Sequence, residues 1–394
     1  MKKKIAILGS TGSIGKSTLD VIKRDKRNFD VVLLTANNNY KRLIQQAKEF
    51  KAKNIIIKNK IFYQEVKKKL KNSKIKVFTG DISISKIISG KVDYTMSALV
   101  GLAGLQPTID AIKVSKNVAI ANKETIICGW NLIEKMKKKY KTKIIPVDSE
   151  HYSIMKLIEN HTLDEIKMIY ITASGGPFLN LPIKRFKRIK PKHAVRHPKW
   201  KMGKKISVDS STLMNKILEL IEAQKIFNLP KNKIDIIIHP ESLVHAIVKF
   251  KNGITKFIYH ETSMMIPLTN AIFDGNLHFD EFINFENSKI KRNIQNLNFR
   301  EVDNKKFPII KIKKRLNEYP ATPIIINTCN EILVDQFLRK KIAFLSIHKI
   351  ILSILNDRNY RKYAIKETKN LNQIIDIYKW TKTLTLKKIN LSND

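Results

Sequence analysis

Six short apolar runs, separated by segments of helical period, constrain this chain most. They are KIAILG at 4–9, DVVLLTA at 30–36, NIII at 54–57, VDYTMSALV at 92–100, NVAIA at 117–121 and KIIPV at 143–147. Between them, residues 14–24, 40–51, 104–116 and 123–139 carry apolar side chains at helical spacing. Strands that alternate with helices predict a parallel sheet covered on both faces. This block ends near Ser149.

A second region opens with a helix from about His151, followed by a strand at 168–173 and the breaker cluster SGGPF. A basic, Pro-punctuated loop runs to Gly203, then a helix near 212–225 and a strand at 235–238. Two alternating runs flank Asn252-Gly253, a hairpin signal. From about Pro308 the pattern is helical to the end. The expected class is α/β: a Rossmann-like N-terminal domain, an α+β catalytic domain and a C-terminal helical bundle. Expected boundaries are 1–149, 150–274, a linker at 275–307, and 308–394.

Composition narrows the function classes. The 394 residues are 43% hydrophobic, within the globular range. No apolar run approaches the ~20 residues of a membrane span. The start, MKKKIAILGS, has too short an apolar run for a secretory signal and reads as a first strand. Two cysteines, Cys128 and Cys329, form neither a disulfide framework nor a metal spacing, which points to a reducing cytoplasm. The 75 Lys+Arg against 34 Asp+Glu give a net charge of +41, which raises nucleic acid as a partner. The lysines are spread along the chain instead of forming one stripe. With abundant Asn and Ile they match AT-rich codon usage, so no specific nucleic-acid partner is expected.

The stretch ILGSTGSIGKST at 7–18 reads two ways. Gly9, Gly12 and Gly15 follow an apolar strand, as in a dinucleotide loop, while Gly15-Lys16-Ser17 imitates the end of a P-loop. The P-loop pattern requires glycine at position 10, which is Ser10. The dinucleotide reading has the required strand–turn–helix context. At the end of the second strand, LLTANNNYKR carries no carboxylate for a ribose 2′-hydroxyl, and Lys41 and Arg42 follow. NADP(H) is therefore expected over NAD.

Four clusters carry candidate chemistry. In IPVDSEHYS, Asp148 and Glu150 stand two apart at a strand end, which in extended chain turns both to one side. Such a pair suits Mg²⁺ or Mn²⁺, and is as readily a solvated acid pair beginning a helix. In KISVDSSTLMNKILELIEA, Ser210 or Ser211 is expected to cap a helix from Thr212. There Asn215 and Glu219 share a face with Lys216 beside them, and Glu222 lies on a polar outer face. Glu219 offers a third metal carboxylate, and Ser210, Asn215 and Lys216 are donors for a phosphate. In TASGGPF and RHPKWKMGKK, Ser174 precedes a Gly-Gly hinge, and His197, Trp200 and Met202 follow on a basic loop. An exposed Trp there fits a lid, or else a mobile loop whose Trp packs on a domain face. In AIANKET, Asn122, Lys123 and Glu124 follow a strand end, where the nicotinamide would lie. His239 in IHPESLVH is a secondary candidate.

Taken jointly, GSTGSIG, ANKE, PVDSEH, SGGPF, RHPKWKMGKKISVDSSTLMNK, LELIEA, IHPESLVH and NTCNEI resemble the 1-deoxy-D-xylulose 5-phosphate reductoisomerase family over nearly the whole chain. The resemblance implies an NADP-dependent oxidoreductase of isoprenoid precursor synthesis, with a divalent cation and a homodimer. Its substrate is a small sugar phosphate, rearranged and reduced to 2-C-methyl-D-erythritol 4-phosphate. It implies NADPH contacts at Thr11, Gly12, Ser13, Ile14, Asn37, Asn38, Asn39, Asn122, Glu124 and Gly203. Metal carboxylates are implied at Asp148, Glu150 and Glu219. Lys123, Ser149 and Glu150 fall near the reacting carbons. Ser174, His197, Ser210, Asn215 and Lys216 match the phosphate pocket, and Trp200 the lid. The loop Asn37-Asn38-Asn39 departs from the glycine or basic residue expected there. A sugar-phosphate oxidoreductase without isomerisation is the alternative.

Overall fold

The computed structural model describes residues 2–200, 202–273 and 297–391, so part of the expected 275–307 linker lies outside the described residues. The first sheet has seven strands, all parallel: β1 Lys3–Leu8, β2 Phe29–Ala36, β3 Asn54–Ile57, β4 Lys76–Thr79, β5 Val92–Ser97, β6 Ser115–Ile120 and β7 Lys143–Pro146. Helices α1 Ser13–Arg24, α2 Tyr40–Glu49, α3 Tyr63–Lys69, α4 Leu105–Lys113 and α5 Lys123–Tyr140 join them. The central strands are apolar because both faces are covered: Ile5, Ala6, Ile7, Leu8, Leu33 and Leu34 are fully buried. The spatial order is β4-β3-β2-β1-β5-β6-β7. It reverses direction at β1, and open α/β sheets bind ligands at such a switch point.

The expected strands are present, with ends shifted by a few residues. The run at 92–100 stops at Ser97, and the next residues form the loop beside Gly9. Strand β4 and helix α3 carry no strong period: KVFT is an edge strand with an exposed first residue and half-buried followers.

Helix α6, Ser149–Ile158, follows β7, and the second sheet then begins with β8 Ile166–Ala173. Next come α7 Pro191–Ala194, α8 Lys204–Thr212, α9 Met214–Phe227, β9 Ile234–Ile238, β10 Val244–Phe250 and β11 Thr255–Tyr259. This mixed sheet has the order β11-β10-β8-β9. The hairpin between β10 and β11 turns at Gly253, φ 90°.

The helix expected from Thr212 is two helices. Leu213 has φ 63° and breaks the run, so Ser210 and Ser211 lie inside α8 and cap nothing. Glu222 is 1% exposed, not on an outer face. Helix α9 is buried from Lys216 through Ala223, so it has no outer face there.

After α10 Met265–Phe273, a 3₁₀ stretch at Pro308–Arg315 leads into α11 Thr322–Leu338, α12 Ser346–Leu355, α13 Tyr360–Ala364 and α14 Leu371–Asn390. The described chain forms two compact units. One comprises the described parts of Met1–Thr125, Asn131–Tyr152 and Met264–Ile294. The other comprises those of Ile126–Trp130, Ser153–Ser263 and Gln295–Asp394.

Candidate active site

In the first unit the β1–α1 turn is built for close approach. Gly9 takes φ 81°, and a Cβ there would lie 2.8 Å from the Ala98 carbonyl oxygen. A Cβ on Gly15 would lie 2.3 Å from the Gly9 oxygen, so helix and strand meet backbone to backbone. Gly12 precedes α1 and brings no capping side chain, and the first turn holds no acid. Thr11 and Ile14 are half-buried, Gly12 and Ser13 exposed, at the mouth of this turn. Such an uncapped helix start suits a pyrophosphate. Lys16 is exposed on α1. Ser10 is buried and occupied: its Oγ donates to Gln46 Oε1 (2.8 Å), and Gln46 Nε2 donates to the Ser10 carbonyl (2.9 Å). That lock between loop and α2 escaped the sequence reading, because its partners are 36 residues apart.

Asn37, Asn38 and Asn39 follow β2 and are exposed. Asn39 caps α2 by accepting from the Arg42 amide. Asn122 and Glu124, by contrast, are buried. Asn122 caps α5 through Thr125 and donates to the Gly101 carbonyl (2.8 Å), which commits its side-chain amide to the fold.

Asp148 and Glu150 converge by another route than strand alternation. Glu150 lies in the first turn of α6, where its amide donates to Asp148 Oδ1 (3.3 Å). Ser149 Oγ donates to Glu150 Oε2 (2.6 Å). Lys123 Nζ, from the first turn of α5, donates to Asp148 Oδ2 (3.1 Å). Burial opposes ionisation of Asp148, but the Lys123 ammonium and the His151 ring more than offset it and hold the carboxyl well below its usual range. His151, fully buried with Nδ1 3.4 Å from Asp148 Oδ1, is a further member that sequence spacing alone did not single out.

The second unit holds the residues expected to act as phosphate donors. Gly175 and Gly176 have φ 80° and 63°. A Cβ on Gly176 would lie 2.9 Å from the Ser210 carbonyl oxygen, so only glycine lets the turn after β8 rest on α8. His197 Nδ1 accepts from the Trp200 amide (2.9 Å) and the Lys199 amide (3.2 Å). Its proton is therefore on Nε2, which donates to Ser174 Oγ (3.0 Å). The Gly176 amide donates to the same oxygen (3.1 Å). With two donors already pointing at it, the Ser174 hydroxyl is left to donate its own hydrogen outward. Partial burial, then the nearby Lys216 charge, push His197 down to about 4.

On α9, Glu219 is 1% exposed and accepts from Lys216 Nζ (2.7 Å) and from the Asn215 side chain. Trp200 is half-buried, edge-on to the His245 ring at 5.9 Å. Met202 is half-buried and Gly203 exposed where α8 begins. His239 is structural: Nε2 accepts from the Leu243 amide (3.2 Å) and Nδ1 donates to the Asn298 carbonyl (2.9 Å). Asp209, which sequence reasoning passed over, is 1% exposed and accepts from Lys205 (3.0 Å) and from Asn330 of α11 (2.7 Å). It ties the helix bearing Ser210 to the C-terminal bundle.

A switch-point glycine loop, the paired carboxylates Asp148 and Glu150, and a Gly-Gly turn carrying a Ser–His donor pair fit a dinucleotide-dependent enzyme of the doubly wound α/β class. Family models for 1-deoxy-D-xylulose 5-phosphate reductoisomerase match residues 5–129, with its C-terminal domains matching 144–227 and 261–384. The chain is 49% identical over 375 residues to the 1-deoxy-D-xylulose 5-phosphate reductoisomerase of Pelagibacter ubique, covering 94% of this chain and 96% of that one. The Zymomonas mobilis enzyme, solved in complex with NADPH, superposes with a TM-score of 0.88 at 33% identity and 99% coverage of both chains. A reductoisomerase solved with NADPH, fosmidomycin and magnesium gives 0.87 at 31% identity, over 100% of this chain and 99% of that one. This chain belongs to the 1-deoxy-D-xylulose 5-phosphate reductoisomerase family.

Proposed function

We propose that this chain rearranges and reduces 1-deoxy-D-xylulose 5-phosphate to 2-C-methyl-D-erythritol 4-phosphate, using NADPH and Mg²⁺ or Mn²⁺. The carrying observation is the Ser174–His197 pair on its Gly-Gly turn, a neutral donor set formed for a phosphate. Thr11, Gly12, Ser13, Ile14, Asn37, Asn38, Asn39, Asn122, Glu124 and Gly203 serve NADPH. Asn122 acts by setting the start of α5. Ser174, His197, Ser210, Asn215 and Lys216 hold the substrate phosphate. That remote binding positions the reacting end, and Trp200 covers it.

Asp148, Glu150 and Glu219 hold the cation, and their hard oxygen donors suit either metal. When bound, the cation supplies Lewis-acid polarisation of the substrate's carbonyl and hydroxyl oxygens. Lys123 and His151 keep Asp148 ionised for that task, and Ser149 orients Glu150. Residues 1–149 bind the dinucleotide, 150–274 carry the chemistry, and 308–394 brace it from beyond the 275–307 linker. Two buried free thiols, Cys128 and Cys329, favour the cytoplasm. None of the described helices is long and apolar enough to cross a membrane. The protein acts as a homodimer. Support is the outer edge of β11, which has no strand partner among the described residues and leaves Phe257 48% exposed.

The test mixes protein, NADPH, Mg²⁺ and the sugar phosphate and follows cofactor absorbance, with NMR of the product. Metal-dependent oxidation with a branched carbon skeleton is expected. Oxidation with an unbranched product would favour the non-isomerising alternative, and no metal-dependent oxidation would sink the reading. Glu219→Gln is expected to keep the fold and NADPH binding while turnover falls by at least about a hundredfold.

A further inference from the structure

The loop Asn37-Asn38-Asn39 itself carries no cation for a 2′-phosphate, and two of the cations that follow the β2 and β3 strands have partners of their own. Arg42 Nη1 donates to Gln45 Oε1 (3.3 Å). Lys58 Nζ pairs with Asp81 Oδ1 (3.1 Å). The loop after β3 supplies something else. Asn59 Nδ2 donates to Asn38 Oδ1 (2.9 Å). Its own Oδ1 accepts from the Ile61 amide (3.1 Å), and its backbone amide donates to the Asn37 carbonyl (3.2 Å). Both ends of the Asn59 side chain are thus fixed, so it meets Asn38 as a donor. Asn38 receives that bond on its oxygen and so keeps its NH₂ group for a ligand. Asn39 is spent on the α2 cap, and the Asn38 carbonyl accepts from the Tyr40 amide (2.9 Å).

We infer that Asn59 is a specificity-determining positioning residue: it orients the Asn38 amide so that a neutral donor reads the 2′-phosphate of NADPH. The inference rests on the NADPH reading above. An NH₂ donor to a charged acceptor is a charge-assisted bond, stronger than a neutral one. The exposed Lys41 and Lys60 flank the two loops and add a diffuse positive field. Without Asn59, the Asn38 amide can rotate and present its oxygen to the phosphate, which repels it.

The test measures NADPH and NADH dissociation constants by cofactor fluorescence, without substrate or metal, for the intact chain and for Asn38→Ala, Asn59→Ala and the double variant. Wild type binds NADPH more tightly than NADH. Asn59→Ala is expected to weaken NADPH about tenfold and NADH less than twofold. The double variant should be no worse than Asn38→Ala alone, because Asn59 acts through Asn38. Equal losses for both cofactors would mean that Asn59 is only a cap for its own turn. Full additivity, or an unchanged preference in Asn59→Ala, would also overturn the inference. A wild type that binds neither cofactor would overturn the NADPH reading itself.

Discussion

His197 is a histidine arranged to stay neutral. Its Nδ1 faces two backbone amides and its Nε2 faces a hydroxyl, so a second proton has no acceptor and lies in the field of Lys216. An imidazole in the unfolded chain titrates near 6.5, against about 4 here. Between those values the unfolded chain binds the extra proton. Stability from this group is therefore complete above about 6.5 and is lost as pH falls toward about 4. An NMR titration of the ligand-free protein should place His197 near 4. Lys216→Met should move it upward by removing the repelling charge. A wild-type value close to 6.5 would contradict the partly buried, neutral arrangement. The same reasoning supports the proposal that substrate phosphate binds here. An anion offsets Lys216, and its oxygens accept from the outward Ser174 hydroxyl.

At the scale of elements, the cofactor loop depends on a residue that looked like a defect. Ser10 stands where a P-loop would need glycine, and its side chain joins the β1–α1 turn to α2 through Gln46. Ser10→Gly would complete the P-loop pattern. It is expected to lower stability by about 2 kcal/mol, because Gln46 Oε1 loses a buried donor. It should weaken NADPH binding and create no affinity for ATP. Thermal unfolding with calorimetric titration of both nucleotides checks this, and ATP binding by the variant would revive the P-loop reading. The sequence disclosed the strands whose both faces are buried, since these must be continuously apolar, and the glycines whose spacing serves a turn. It hid what depends on pairing between distant residues: Ser10 with Gln46, Asn38 with Asn59, Asp209 with Asn330. It hid the α8–α9 break too, because Leu213 adopts a left-handed conformation without being glycine or asparagine. Asp148 and Glu150 were legible as a pair, but helix capping brings them together, not strand alternation. Glu222 was misread because a helix buried from several sides has no polar face to assign it to.

At the scale of the molecule, the charge of +41 sets the terms on which two copies can meet. Its cations occur in every region of the chain, and many sit on exposed positions of helices whose opposite faces are buried, as at Lys67–Lys69 and Lys138–Lys139. Like-charged copies repel over a Debye length, roughly 10 Å at 0.1 M salt and about 30 Å at 0.01 M. Burial of apolar groups such as Phe257 is insensitive to that screening and is strengthened by excluded salts. The proposed homodimer should therefore tighten as salt rises, the opposite of an interface held by ion pairs. The same charge should retain the protein on any DNA at low salt, without sequence preference, and release it steeply as salt increases. Sedimentation equilibrium from about 0.02 to 0.5 M sodium chloride measures the first effect against the Debye scale. Phe257→Lys, which adds charge at the β11 edge, should weaken the dimer most at low salt. A dimer that dissociates as salt rises would assign the interface to ion pairs. A Phe257→Lys dimer as tight as wild type at low salt would move the interface away from β11.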